Sequence, residues 1–148
     1  MKLMTQLLAV ALVTVGLLLS ACSKSQNTLE IEHPAVIEQI EGSDLSKVTL
    51  TERAIQRLDL KTEQVLEMKV ERTSSMRKVV PYSSLIYDPQ GQTWVYTSPQ
   101  PGTFIRHKVD VDYIEGNLAV LNEGPPTGTV VASIGVAELY GAEFKVGH

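Results

Sequence analysis

The sequence is poor in cysteine, in basic charge and, over its first half, in aromatic side chains. Its 148 residues include one cysteine, Cys22, which excludes a disulfide framework within the chain and any multi-cysteine metal site. The 13 basic and 17 acidic residues give a net charge of −4, which argues against a nucleic-acid partner. The five Tyr, two Phe and one Trp all lie between Tyr82 and Phe144. Because large rings dominate the cores of small domains, we expect the core at about residues 78–148.

The chain also lacks an apolar run long enough to span a membrane with ease. The uncharged run Leu7–Leu19 has 13 residues, whereas a spanning helix needs about 20, so the run is typical of a secretory signal peptide. Leu19-Ser20-Ala21-Cys22 follows and resembles a bacterial lipobox. The resemblance implies a signal peptide over 1–21 and a covalent lipid on Cys22; the alternative is a generic signal peptide with an incidental cysteine. We expect an exported lipoprotein, anchored to a membrane on its extracytoplasmic, periplasmic side.

The mature chain is predicted to comprise a flexible tether at 22–44 and a small β-rich domain at 45–148. Thr51 predicts the N-cap of a short helix of about two turns, and Lys61–Arg72 predicts a strand. Loops rich in Pro and Gly separate the later elements. These are predicted strands at Ser84–Tyr87, Thr93–Thr97, Phe104–Tyr113, Leu118–Leu121 and Thr129–Ile134, then a helical turn at Ala137–Tyr140. The spacing predicts a mainly β fold, a small β-barrel or sandwich with one short α-helix.

Several segments of the domain resemble one family, the periplasmic adaptor subunits, or membrane fusion proteins, of efflux pumps of the resistance–nodulation–division kind. In that family a Pro-led strand reaches a Gly turn and a Trp-Val-aromatic strand. A Phe-led strand and a Gly-rich segment with paired valines follow. The matching stretches here are Pro81–Ile86, Gly91–Tyr96, Phe104–Val111 and Gly124–Gly135, with an early segment at Val48–Val65.

The chain departs from full-length adaptors in one large respect. Those proteins carry a lipoyl-like domain and an α-helical hairpin between the early and late segments, but here Val70 and Val79 are only nine positions apart. The resemblance therefore implies the membrane-proximal, β-barrel portion alone. It implies docking on a transporter or a neighbouring envelope protein in transmembrane export, without bridging two membranes. A lipid on Cys22 would raise the local concentration of the domain near such a partner.

The alternating strand Phe104–Tyr113 supplies the candidate docking residues. Arg106, Lys108, Asp110 and Asp112 share one face of that strand, because side chains alternate with a period of two. Paired carboxylates can perform acid–base chemistry, but beside two cations they favour a solvated face of mixed charge. Such a face sets partner choice and register, so these four residues are predicted to form a docking surface.

Catalytic motifs are missing from the sequence. It contains no nucleophile elbow, no P-loop and no Gly-x-Gly-x-x-Gly, so we expect a protein that is not an enzyme and has no cofactor beyond the lipid. His33, His107 and His148 are scattered, which predicts no metal site.

Two further observations leave an alternative open. Met68 and Met76 are thioethers of the kind that copper sites use, and their ordinary role is packing. Tyr87, Trp94 and Tyr96 are predicted either to face a ligand or to form cross-strand core pairs. The second hypothesis is therefore a ligand-binding or copper-binding envelope lipoprotein that uses the mouth of a β-barrel.

Overall fold

A computed structural model of the chain describes residues 33–145. The predicted signal peptide, Cys22, the first part of the predicted tether and His148 lie outside the described residues. The described part is mainly β, which confirms the predicted fold class. Within residues 33–145, no helix is long and apolar enough to cross a membrane.

Ten strands, two helices and one 3-10 turn make up the described chain. The strands are β1 (Ala35–Gln39), β2 (Ser46–Leu50), β3 (Lys61–Gln64), β4 (Leu66–Lys69), β5 (Met76–Pro81), β6 (Ile86–Tyr87), β7 (Thr93–Gln100), β8 (Thr103–Glu115), β9 (Leu118–Glu123) and β10 (Val130–Ile134). The helices are α1 (Glu52–Arg57) and α2 (Val136–Phe144), and the 3-10 turn covers Tyr82–Ser84.

The first helix begins where the sequence predicts it. The hydroxyl of Thr51 accepts a hydrogen bond of 3.2 Å from the backbone N–H of Ala54, so Thr51 is the N-cap of α1. Glu52 lies in the first turn and Arg57 in the last, and both charges favour the helix dipole. Ala54 is buried and faces the core.

The strands form one antiparallel sheet that curls on itself. Its main path runs β3-β10-β7-β8-β9-β5-β4; β2 joins it on β8, β6 joins it on β7, and β1 pairs with β2. The two ends of the path, β3 and β4, are consecutive in the chain with only Val65 between them. The backbone of Val65 bonds to that of Thr129 and Gly128, so one stretch of chain pairs at its start with β10 and at its end with β5. The sheet therefore curls in the manner of a barrel.

Both faces of the curled sheet are packed near its centre. On one face lie Val65, Val80, Leu85, Val95, Val109, Ala119, Leu121 and Val131. On the other, α1 and α2 cover a second cluster of Val48, Leu50, Ala54, Tyr96, Phe104, Ala132, Val136 and Leu139. Neighbours such as Val131 and Ala132 fall in different clusters, so β10 is buried on both sides, as its apolar sequence predicts. The core also includes residues before position 78, where the predicted core begins; these are Val48, Leu50, Ala54 and Val65.

The structure differs from the predicted elements in several places. The strand predicted at Lys61–Arg72 is divided at Val65 into β3 and β4, and β5 lies where no strand is predicted. Ala35–Gln39, inside the predicted tether, pairs with β2, so the ordered fold starts before residue 45. The strand predicted at Ser84–Tyr87 is reduced to two residues behind the 3-10 turn. The predicted final helical turn is a helix of nine residues. It begins after Gly135, whose φ of +84° favours glycine and whose Cβ would meet Leu60 at 3.3 Å.

Candidate functional site

The four predicted docking residues lie on β8 but do not share one environment. Arg106 lies opposite Tyr96 of β7, in the half of β8 that α2 covers. Lys108, Asp110 and Asp112 are exposed, and the last two lie where β8 leaves β7 and pairs with β9. Register shifts follow Asp110 and Val111 in that second half. The strand therefore has a closed end at Arg106 and an open end at Asp110 and Asp112.

The closed end is a buried network of charged and polar groups. Arg106 is only 7% exposed, so the prediction that it lies on a solvated face is wrong. Its Nε donates to Glu143 Oε2 at 2.8 Å, and the hydroxyl of Tyr96 donates to the same oxygen at 2.6 Å. Glu143 comes from α2, so the helix closes over this part of β8 and brings the carboxylate that pairs with the arginine.

Aromatic rings enclose the guanidinium of Arg106. Its central carbon is 4.6 Å from the ring centroid of Trp94 and 4.8 Å from that of Phe144, which are cation–π distances. Tyr140 packs against Phe144 with centroids 4.6 Å apart. The predicted core role holds for Tyr96, which is fully buried, whereas Trp94 stacks on the arginine.

The buried network shifts the acidity of Tyr96. Burial raises the pKa of the phenol, and the hydrogen bond to Glu143 and the charge of that carboxylate raise it further, well above its usual range. Tyr96 is thus a neutral donor over the whole physiological range. Glu143 Oε1 is buried and has no hydrogen-bond partner within the described chain, so Oε2 alone takes both donors.

A cleft of about 510 Å³ opens beside the arginine. It is lined by Asp44, Leu45, Asp88, Pro89, Gln90, Gln92, Trp94, Arg106, Tyr140 and Phe144. Within residues 33–145, Arg106 forms hydrogen bonds through Nε only, so its terminal nitrogens have no partner within the described chain. An arginine with aromatic walls can bind a planar anionic group in such a place.

Both carboxylate oxygens of Asp88, which lines this cleft, accept hydrogen bonds from within the chain. Its Oδ1 accepts the backbone N–H groups of Gln90 and Gln92, and its Oδ2 accepts Trp94 Nε1 at 2.9 Å. Burial raises the pKa of Asp88, but these bonds, together with the charge of Arg106, outweigh that effect and lower the pKa below its ordinary value. Asp88 therefore fixes the turn before β7 and the orientation of Trp94.

The open end of β8 meets Arg77 of β5. Arg77 Nη2 donates to Asp112 Oδ2 at 3.0 Å, to Asn122 Oδ1 at 2.9 Å and to the carbonyl of Leu121 at 3.2 Å. Asn122 Nδ2 in turn donates to Asp110 Oδ2 at 3.2 Å. Both predicted carboxylates therefore belong to one hydrogen-bonded network at the surface.

Two exposed apolar side chains lie beside this network. Met68 lies opposite Arg77, and Leu66 lies opposite Val79, in the β4–β5 pairing. Residues directly opposite each other share a face of the sheet. Leu66 is 51% and Met68 38% exposed. We call this surface the mixed face; it consists of Leu66, Met68, Arg77, Asp110, Asp112 and Asn122.

Sequence reasoning missed Arg77 and Glu143. Arg77 carries no local signal, because its partner Asp112 is 35 positions away and the strand register brings them together. Glu143 does carry one. It follows Val136 and Leu139 at intervals of three and four residues, which is the spacing of the core face of a helix. An acid at that spacing indicates a buried cation nearby.

The candidate metal-binding side chains do not converge. Met68 lies opposite Arg77 and Met76 opposite Lys69, so the two thioethers point to opposite faces of the β4–β5 hairpin. His33 is exposed, and burial together with the charge of Lys78 lowers the pKa of His107. Within the described residues, no group of three or more His, Cys, Asp or Glu could hold a metal ion.

Comparison of the chain with known protein families and with curated proteins finds no match. The adaptor resemblance therefore stays a prediction from the sequence. The described residues form two candidate sites, the mixed face and the cleft beside Arg106.

Proposed function

We propose that this chain is a non-catalytic, lipid-anchored envelope protein that docks on a transporter or a neighbouring envelope protein in transmembrane export. The proposal joins the lipobox and the adaptor resemblance of the sequence to one structural observation. That observation is the mixed face, where Asp110 and Asp112 are held in place at the surface beside exposed Leu66 and Met68.

The mixed face has the physical properties of a protein-docking surface. Arg77 fixes Asp112 and Asn122, so little side-chain entropy is lost when a partner binds them. Arginine and methionine are both enriched at protein interfaces, and Met68 supplies an apolar contact next to the charges. A partner with a basic patch beside an apolar one would complement this surface.

The lipid on Cys22 would supply the rest of the affinity. An anchored domain searches in two dimensions, so its effective concentration near a membrane partner exceeds that of a free domain. A modest docking surface is then sufficient. The partner class that the adaptor resemblance favours is an inner-membrane transporter of the resistance–nodulation–division kind.

The test is cross-linking in intact cells at native expression, followed by purification from detergent-solubilised membranes and identification of the co-purifying proteins. The double variant Asp110→Lys with Asp112→Lys changes the mixed face. Its matched control is Glu138→Lys, which changes an exposed acid on α2. A third strain carries Cys22→Ser.

We expect a transporter or another envelope protein with the wild type and with Glu138→Lys, but not with the double variant. Cys22→Ser should reduce the yield of the complex, since the tether is lost. Equal co-purification from the double variant, or no partner from the wild type, contradicts the docking proposal.

A second candidate function is the binding of a small anionic ligand in the cleft beside Arg106. The observation that favours it is Arg106, which lines a cleft with aromatic walls and whose terminal nitrogens have no hydrogen-bond partner within the described chain. Trp94 is the only tryptophan and lines the same cleft, so its fluorescence reports on binding.

Benzoate and inorganic phosphate are suitable probes for that candidate. Saturable quenching by benzoate that Leu45→Glu abolishes supports it, because the new carboxylate would repel an anion at the cleft wall. A response to neither probe in the wild type contradicts it.

A further inference from the structure

Strand β4 has one paired edge and one unpaired edge. It lies at the end of the sheet path and pairs with β5 alone within the described residues. All four of its residues, Leu66–Lys69, are exposed. An unpaired edge presents backbone N–H and C=O groups that can bind another strand.

The backbone groups of Glu67 and Lys69 point outward from this edge. Val70 donates its N–H to Ser75 in the β4–β5 hairpin, whereas Val65 bonds on the opposite side, to Thr129 and Gly128. Backbone groups alternate between the two edges of a strand. The backbone N–H and C=O groups at positions 66, 68 and 70 therefore point towards β5, and those at positions 65, 67 and 69 point away from it. The hydrogen bonds of Val65 and those of Val70 give the same assignment of backbone directions.

The charges on this edge are self-complementary. Glu67 and Lys69 flank Met68 at equal distance, and neither forms a salt bridge within the described chain. Lys78, which lies opposite Glu67 in β5, donates instead to the carbonyl of Gly124. If two copies of β4 align antiparallel about Met68, each Glu67 lies opposite the Lys69 of the other copy.

The directions of the backbone N–H and C=O groups favour the same alignment. Glu67 and Lys69 both present outward N–H and C=O groups, so each cross-copy pair can exchange two hydrogen bonds, as residues of a hydrogen-bonded antiparallel pair do. Met68 then lies opposite Met68 of the second copy, in a pair without backbone hydrogen bonds. The exposed thioethers cover each other on the mixed-face side of the sheet.

The other outer strands lack this combination. In β1, Glu38 already pairs with Lys47 of the same chain at 2.7 Å. In β3, Lys61 pairs with Asp59 at 3.2 Å, and Thr62 stands where β4 has Met68. Free opposite charges around an exposed apolar residue thus occur on β4.

We propose that two copies of this chain associate through β4, antiparallel about a two-fold axis at Met68, and extend the sheet from one copy into the next. Such an interface uses the same patch on both copies, as two-fold dimers do. It places the two mixed faces side by side on one surface of the extended sheet. The inference does not depend on the identity of any docking partner, because it can be tested with the purified chain.

The test is disulfide trapping in the full chain with Cys22→Ser, so that one introduced cysteine is the only thiol. In the proposed alignment the α-carbons at position 68 of the two copies are about 4.5 Å apart, a distance that a disulfide can span. Met68→Cys should therefore give a covalent dimer under mild oxidation.

The matched control is Leu66→Cys, whose side chain is the more exposed of the two. In the same alignment the two α-carbons at position 66 are about 13 Å apart, too far for a disulfide. Trapping at position 68 should exceed trapping at position 66 several-fold. Equal trapping at both positions, or none at position 68, overturns the proposal.

Charge reversal provides a second, independent readout by sedimentation of the otherwise unmodified Cys22→Ser chain. Glu67→Lys places like charges opposite each other twice in the dimer and should weaken self-association about tenfold. Adding Lys69→Glu restores opposite charges and should restore the dimer. Failure of the double change to restore it overturns the register. A strand from a different protein at this edge would likewise leave the purified chain monomeric and overturn the proposal.

Discussion

Arg106 and Arg77 each donate to a carboxylate, at 2.8 Å and 3.0 Å, yet they belong to two different kinds of region. The side chains of Arg106 and Glu143 are 7% and 1% exposed, whereas those of Arg77 and Asp112 are 22% and 39% exposed. The distances are nearly equal, so distance does not separate the two pairs. The two pairs differ in solvent exposure, because α2 covers the pair of Arg106 and leaves the pair of Arg77 at the surface.

The two ends of β8 therefore differ in what an ion pair there can contribute. A buried ion pair that loses one partner leaves an uncompensated charge away from water, which is strongly destabilising. An exposed pair contributes little to stability and remains available to a partner. The closed end of β8 therefore holds α2 in place, and the open end is the part of the strand for which we propose docking.

Glu143→Ala should destabilise the fold more than any other change considered below. The change leaves Arg106 buried without its carboxylate and Tyr96 without its acceptor, so the free energy of unfolding should fall by about 3–5 kcal/mol. Urea denaturation followed by Trp94 fluorescence measures it. Glu138→Ala, on the exposed side of the same helix, is the control and should change stability by no more than about 0.5 kcal/mol. Similar small losses for both variants would mean that the closed end is not structural.

Tyr96→Phe should have the next largest effect. It removes one of the two donors to Glu143 Oε2 and keeps the ring. The free energy of unfolding should therefore fall by the contribution of one hydrogen bond to a charged group, about 1.5–3 kcal/mol. The same denaturation assay applies. A variant as stable as the wild type would show that the bond from Arg106 alone satisfies the carboxylate.

Arg77→Ala should have a small effect on stability, about 1 kcal/mol or less, because its ion pair is partly exposed to solvent. The loss should shrink further in high salt, which screens surface charges. Co-purification of the docking partner should nevertheless be lost, because Asp112 and Asn122 are no longer held in place. A loss as large as that of Glu143→Ala would break the distinction between the two arginines.

The smallest effect concerns Asp88 and appears only in acid. Its pKa is lower in the folded chain than its ordinary value of 3.8, so the unfolded chain binds more protons in that range. The stabilisation is complete above that ordinary value and is lost as the pH falls through the folded pKa. Asp88→Asn should therefore flatten the acid side of the stability profile and leave its dependence near neutral pH unchanged. A change of slope near neutral pH would assign the effect to another group.

Local signals in the sequence predicted local structure well. Thr51 caps α1, and the Pro- and Gly-rich turns bound β7 and β9 close to the predicted positions. The alternation of β8 is predicted correctly only as far as Val111, because a register shift between Val111 and Tyr113 places these two side chains against different clusters. The helix at Val136–Phe144 was predicted only in part, because Gly141 weakens the helical pattern in its second half.

The environment of each side chain could not be read in the same way. Arg106 and Lys108 look equivalent on an alternating strand, and only the return of the chain 37 residues later, with Glu143, buries one of them. Asp112 likewise meets Arg77 through strand register, which no local pattern encodes. The sequence thus predicts the strand β8 and the alternation of its first half, but not the register shifts or the division into a closed and an open end.

The most direct test of the account is site-specific photo-cross-linking in intact cells from two exposed positions, Leu66 on the mixed face and Ala137 on α2. Both positions are at the surface, so they differ in location and not in access. We expect a discrete adduct with another envelope protein from position 66 and none from position 137. Adducts of equal yield from both positions, or from position 137 alone, would contradict the assignment of docking to the open end of β8.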